Sequence, residues 1–144
     1  MGCDIHCHIE VMIADEWVYY SPGHMSRDYD VFAKMADVRN YSGGIVPISQ
    51  PKGIPEDVTY MAWLHSEHDG PDGHSHSWLS SSELAELFNF MDDLGYTLWR
   101  DTYPFTEFHV WLFGNHIGYY IENRGSEDYP DFLEDIRLVF WFDN

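Results

Sequence analysis

Positive charge is scarce in this chain: 7 Lys+Arg stand against 25 Asp+Glu in 144 residues, a formal net charge of −18 with histidine neutral. The cations, Arg27, Lys34, Arg39, Lys52, Arg100, Arg124 and Arg137, are scattered, and none falls between Lys52 and Arg100. A duplex nucleic-acid binder needs a basic stripe to neutralise phosphates, so direct duplex binding is excluded. Cysteine is scarce too. Cys3 and Cys7 lie four apart, a spacing within one element that suits no disulfide scaffold. They alternate with Ile5 and Ile9, which favours burial over nucleophilic chemistry.

Long apolar runs are missing. None approaches the ~20 residues needed to cross a bilayer, and the first residues lack the basic and apolar segments of a secretory leader. The expectation is a soluble, cytoplasmic protein without membrane contact. Glycine-rich phosphate loops, nucleophile elbows and Cys-x-x-Cys pairs are absent as well. Aromatic residues, by contrast, are abundant, with 6 Trp, 10 Tyr and 9 Phe, and 44% of the chain is apolar. That composition builds a packed core and argues against disorder. The length suits one domain spanning residues 1–144.

Local patterns predict an α+β domain in which a small sheet packs with three or four helices. From Cys3 to Ile13 the chain alternates with a period of two, as a strand does. A turn at Ala14-Asp15-Glu16 leads to Trp17-Val18-Tyr19-Tyr20 and closes a hairpin. Ser26 is placed to cap a helix from Arg27 to Val38, with Tyr29, Phe32 and Met35 or Ala36 on its buried stripe. Glycines and prolines mark residues 39–55 as a long loop. A short helix over Thr59–His68, where Thr59, Tyr60 and Trp63 would also suit a strand, and a turn over Asp69–Gly73 follow. Ser80 and Glu83 have capping-box spacing ahead of a helix to Asp93. Thr102 and Pro104 start another, carrying Phe105, Phe108 and Leu112. Ile136–Phe142 is β-branched and aromatic and reads as a buried strand of the same sheet as the first.

The first strand also carries the chemistry. Asp4, His6, His8 and Glu10 occupy four successive positions of one face, where a plain solvent face would mix in Thr, Ser and Lys. Same-face neighbours lie about 6.6–7 Å apart, so their side chains can lean toward one divalent ion at ~2.0–2.2 Å. The set does not select among zinc, manganese and magnesium. Asp-x-His-x-His resembles the first-strand motif of amidohydrolases and of polymerase-and-histidinol-phosphatase phosphoesterases. Asp-x-His alone resembles calcineurin-like phosphoesterases. Those enzymes need much longer chains, so their folds do not transfer. A second histidine cluster, His65, His68, His74 and His76, surrounds the Asp69–Gly73 turn and reads as a loop able to close the site.

The beginning Met1-Gly2-Cys3-Asp4-Ile5-His6 resembles a family of small, functionally uncharacterised proteins of bacteriophage and prophage genomes. The likeness continues through Arg27 to Phe32, Val38-Arg39-Asn40, Pro51 to Pro55, Asp57-Val58, His76 to Leu79, and Arg137 to Asn144. It places polar groups, Asp4, His6, Arg27, Arg39, His76 and Asp143, at positions that suggest one site. If the last strand lies beside the first, Asp143 reaches the Asp4/His6 face, and Arg39 supplies an anion-binding guanidinium.

Three functions follow as expectations. In the first, Asp4, His6, His8, His76 and Asp143 hold a divalent metal, and Glu10 or His74 acts as general base in hydrolysis of a nucleotide or phosphodiester. In the second, Arg27, Arg39 and Trp78 capture a small nucleotide signal without turnover, a task suited to phage counter-defence. In the third, the acidic surface imitates nucleic acid and occupies a basic groove of a host protein.

Overall fold

The computed structural model describes residues 2–41, 43–95, 110–111 and 133–144, with the backbone alone at 110–111. The elements are β1 (Asp4–Ile13), β2 (Glu16–Met25), α1 (Tyr29–Ala36), α2 (Tyr60–Asp69), β3 (Gly73–Leu79), α3 (Ser81–Asp93), β4 (Val110–Trp111) and β5 (Asp135–Asp143). The strands form one sheet in the order β3-β5-β1-β2-β4, and every neighbouring pair is antiparallel.

The expected hairpin forms through a two-residue turn. Ala14 and Asp15 take positive φ values of 52° and 61°, the left-handed pair that matches the twist of adjoining strands. The last strand lies beside the first, with Asp4 opposite Asp143, His6 opposite Trp141 and Glu10 opposite Arg137. This register sorts residues by face. Cys7, Ile9, Val11, Ile136, Leu138, Phe140 and Phe142 join the core beneath α1 and α3. Each large side chain fully buried there contributes roughly 1.5–3 kcal/mol.

Two helices on this face follow their sequence signals. Ser80 and Glu83 close a capping box at the start of α3, which buries Leu84, Leu87, Phe88 and Met91. Helix α1 begins later than Ser26 suggests, because the Asp28 carboxylate accepts from the amides of Asp30 and Val31. It ends at Asp37, whose left-handed backbone breaks the helix before Val38. At Gly2 the Arg27 guanidinium lies where a Cβ would stand, so a larger residue there would displace this flexible side chain from its place beside Asp4.

Helix α2 covers the opposite face. It has no side-chain cap and buries only Ala62 and Ser66. The described residues of the expected loop, 39–41 and 43–55, stay irregular, and their far end runs along β3, where the Gly53 amide donates to the His76 carbonyl at 2.8 Å. The expected histidine loop at 74–77 is instead strand β3, paired with β5 and interrupted by a register shift between His74 and Ser77. Of the helix expected from Thr102, residues 102–109 and 112 lie outside the described residues, and Val110–Trp111 form β4.

Candidate functional site

The polar stripe of β1 faces α2, and its members meet four different environments. Asp4, at the open end of the sheet, accepts from Arg27 Nε and Nη2 at 3.1 and 2.9 Å. His6 lies next, with its Nε2 2.5 Å from Asp143 Oδ2. A carboxylate only accepts, so Nε2 carries the proton of that bond. The other ring nitrogen, Nδ1, stands 3.6 Å from Asp69 Oδ2. Asp69, at the end of α2, is itself fixed by the Trp141 indole, which donates to the same oxygen at 2.5 Å. His6 and Asp143 remain about a third exposed, at 35% and 31%, so this pair is accessible.

His8 and Glu10 are closed off. His8 is buried, bonds through Nδ1 to the Tyr19 hydroxyl at 2.7 Å, and is sandwiched between His65 of α2 and Trp141, at ring separations of 4.8 and 5.0 Å. Burial, reinforced by His65 and His6, pushes its pKa down to about 4. Glu10 is fully buried. One oxygen accepts from Arg137 Nε at 2.6 Å and the other from the Thr59 amide at 2.7 Å. Its expected part as general base is therefore corrected: the carboxylate has no exposed surface for a ligand to reach, and Glu10 instead anchors the start of α2.

Strand β3 divides its two histidines between the faces. Without the bulge, His76 would share the core face with His74, two residues earlier. Ser75 at φ 55° supplies the extra residue, and His76 turns to the α2 face to stack on Trp141 at 5.7 Å. A bulge re-aims side chains in this way. Burial and the nearby His74 lower the His76 pKa. His74 stays on the other side, stacked on Phe142 and bonded to Ser75 and Asn144. That places it off the Asp4/His6 face, where it was expected to act as general base beside a metal.

Of the five residues expected to share a metal, then, His6 and Asp143 bond to each other, while Asp4, His8 and His76 have the other surroundings just described. Among the described residues no three His, Cys, Asp or Glu side chains group as metal ligands. A metal entering between His6 Nε2 and Asp143 would have to open their hydrogen bond.

The expected ligand-binding set also separates. Arg27 is engaged by Asp4. Arg39, on the α1 side of the same sheet end, donates to the Tyr41 hydroxyl at 2.5 Å and to Asn144 Oδ1 at 3.0 Å, and lies over the Tyr29 ring at 5.6 Å. Its backbone is left-handed at φ 57°, an uncommon conformation for a residue with a side chain. Trp78 lies farther along the sheet under Lys52, whose Nζ is 3.9 Å above the ring. There it lines a cleft of about 630 Å3 with Trp17, Pro55 and Arg137.

Sequence reasoning missed Asp69, Trp141 and Arg137 as partners. Arg137 carried a usable signal: a cation inside the apolar run of β5 must find a buried acid, and Glu10 was the candidate on the neighbouring strand. Asp69 had no such signal, since it belongs to a turn-like Asp-Gly-Pro sequence. No protein-family model, curated protein or solved structure matches the chain. No helix among the described residues is long and apolar enough to cross a membrane.

Proposed function

We propose that the chain is a hydrolase acting on a nucleotide or phosphodiester, with His6 as its acid–base group. The observation that carries this reading is an accessible imidazole held at one nitrogen by Asp143 and facing Asp69 with the other. Asp143 orients the ring by accepting the Nε2 proton, which leaves Nδ1 to exchange a proton with water or a leaving group. An imidazole positioned by a carboxylate is a recurring arrangement for such exchange. Asp69, held by Trp141, limits where that water can sit. The surroundings are acidic, so a phosphate-bearing substrate arrives here with a divalent counter-ion that offsets the repulsion.

A second reading, capture of an anion without turnover, draws support from Arg39. In a chain with so few cations, its guanidinium bonds to neutral groups, Tyr41 and Asn144, and among the described residues no carboxylate pairs with it. One experiment separates the two readings. Protein is incubated with nucleotides and dinucleotides, with and without Mg2+ or Mn2+, and products are resolved by chromatography. Turnover that falls by about 10²–10⁴ in His6→Gln supports the hydrolase. A ligand held stoichiometrically and released unchanged on denaturation selects capture by Arg39 instead.

A further inference from the structure

Beside the His6–Asp143 pair lies a cleft of about 500 Å3, within the size range of small-molecule sites. One wall is α2, which presents Trp63, Ser66 and Glu67 at the i, i+3, i+4 spacing that aligns side chains on one helix face. The facing wall is the segment at Gly53 and Ile54, fixed to the edge of β3 by the Gly53 amide and by the Lys52 amide, which donates to Ser77 Oγ at 3.1 Å. His76 closes the inner end, resting on Trp141. Trp141 also stacks on His6 at 6.1 Å, and the cleft's Gly70 directly follows Asp69. Cleft and acid–base pair thus share one indole and one turn.

The lining is specific in kind. Trp63, 43% exposed, offers a flat apolar face. Glu67 offers acceptors only, and a neutral His76 ring one donor and one acceptor. Ser66 already donates its hydroxyl proton to the Trp63 carbonyl at 2.7 Å, so it too can only accept. Gly53 and Gly70 have positive φ of 85° and 57°, and a Cβ on either would meet nothing within 4 Å. They leave bare backbone at the rim where a ligand can approach closely. A flat face beside a set of edge acceptors with one donor matches a planar heteroaromatic ring that carries an exocyclic amine. Bare phosphate fits poorly, because Glu67 and Asp69 would repel it.

We propose that this cleft binds the nucleobase of the ligand, stacked on Trp63 with its amino edge toward Glu67 and a ring nitrogen toward His76. The proposal rests on the hydrolase reading only for what becomes of the phosphate; the base itself is recognised independently of turnover. Stacking of a base on an aromatic side chain is worth about 1–3 kcal/mol, so removal of Trp63 is expected to weaken binding roughly 5- to 150-fold.

The test titrates phosphate-free adenosine, guanosine, cytidine and uridine into the whole chain, followed by calorimetry and by amide shifts in nuclear magnetic resonance. Saturable binding of an amino-bearing nucleoside is expected, weakened by that factor in Trp63→Ala and retained in Met61→Ala, which alters the same helix at an exposed position outside the cleft lining. Glu67→Gln is expected to reduce the preference for amino-bearing bases over uridine at least 5-fold. Binding unchanged in His6→Gln, in a protein without nucleotide turnover, would sustain the base site while removing the hydrolase. Nucleotide turnover in a protein that binds no nucleoside, with KM unmoved by Trp63→Ala, would overturn the base site and leave the hydrolase standing.

Discussion

The two faces of the sheet are built on different principles. Under α1 and α3, Leu138, Phe140 and Phe142 pack against Phe32, Leu84, Leu87 and Met91, and apolar burial holds the layers together. Under α2 the same strands present Arg137, Trp141 and Asp143 opposite Glu10, His6 and Asp4, and attachment depends on ion pairs, stacked imidazoles and one indole hydrogen bond. Apolar packing is non-directional and tolerant of small shifts. A polar face holds only when each buried group keeps its partner. The price of placing ionisable chemistry on a rigid strand is that the helix above it buries little more than Ala62 and Ser66.

The largest test of this contrast compares adjacent residues that point in opposite directions. Arg137→Met should cost about 3–5 kcal/mol because it strands a buried Glu10 charge, and adding Glu10→Leu should recover part of that loss, the rest reflecting the Asp57 bonds of Arg137 and the Thr59 amide left without its acceptor. Leu138→Ala should cost about 2–5 kcal/mol through the cavity it leaves, with no recovery from Glu10→Leu. Urea denaturation of the four proteins reads both effects.

Acidity provides the next test. The fold holds His8 neutral down to about pH 4, whereas its ordinary pKa is 6.5. Between those values the unfolded chain binds more protons, so this contribution to stability is complete above about pH 6.5 and is lost as pH falls toward 4. The loss should be on the order of 3 kcal/mol. Denaturation midpoints measured across that range should show the slope and lose it in His8→Gln.

The smallest test compares helix starts. Ser80 caps α3 with its own hydroxyl, and Ser80→Ala should cost about 1 kcal/mol. On α2 the corresponding Thr59 hydroxyl oxygen is buried without a hydrogen bond, while its amide is satisfied by Glu10. Thr59→Ala should therefore leave the thermal midpoint nearly unchanged.

The same contrast explains what could be read in advance. Strand β1, the hairpin, the α3 capping box and the last strand as a buried strand were legible, because period and cap chemistry are local. The stripe from Asp4 to Glu10 was legible as unusual, but its division was not. Whether a histidine meets Asp143, as His6 does, or Tyr19, as His8 does, depends on neighbours far away in sequence. The β3 bulge was also hidden: nothing in His74-Ser75-His76 states that Ser75 will turn left-handed and send the two rings to opposite faces. Helix α2 carries Tyr60, Met61, Trp63 and Leu64 on exposed positions, so its apolar pattern pointed away from the sheet it covers.

The position of β5 has a consequence for the order in which the molecule can be assembled. This strand separates β3 from β1 in the sheet, yet its Arg137 is 127 residues from the Glu10 it meets. During synthesis the β1–β2 hairpin and β3 emerge long before the strand that joins them, each with an unpaired edge. Such pairings are slow to form and leave intermediates prone to association. Once β5 inserts, a slip of one residue would turn Arg137 into the apolar core beneath α1 and α3 and leave Glu10 alone in the interior. The buried pair thereby admits only one way of closing the sheet.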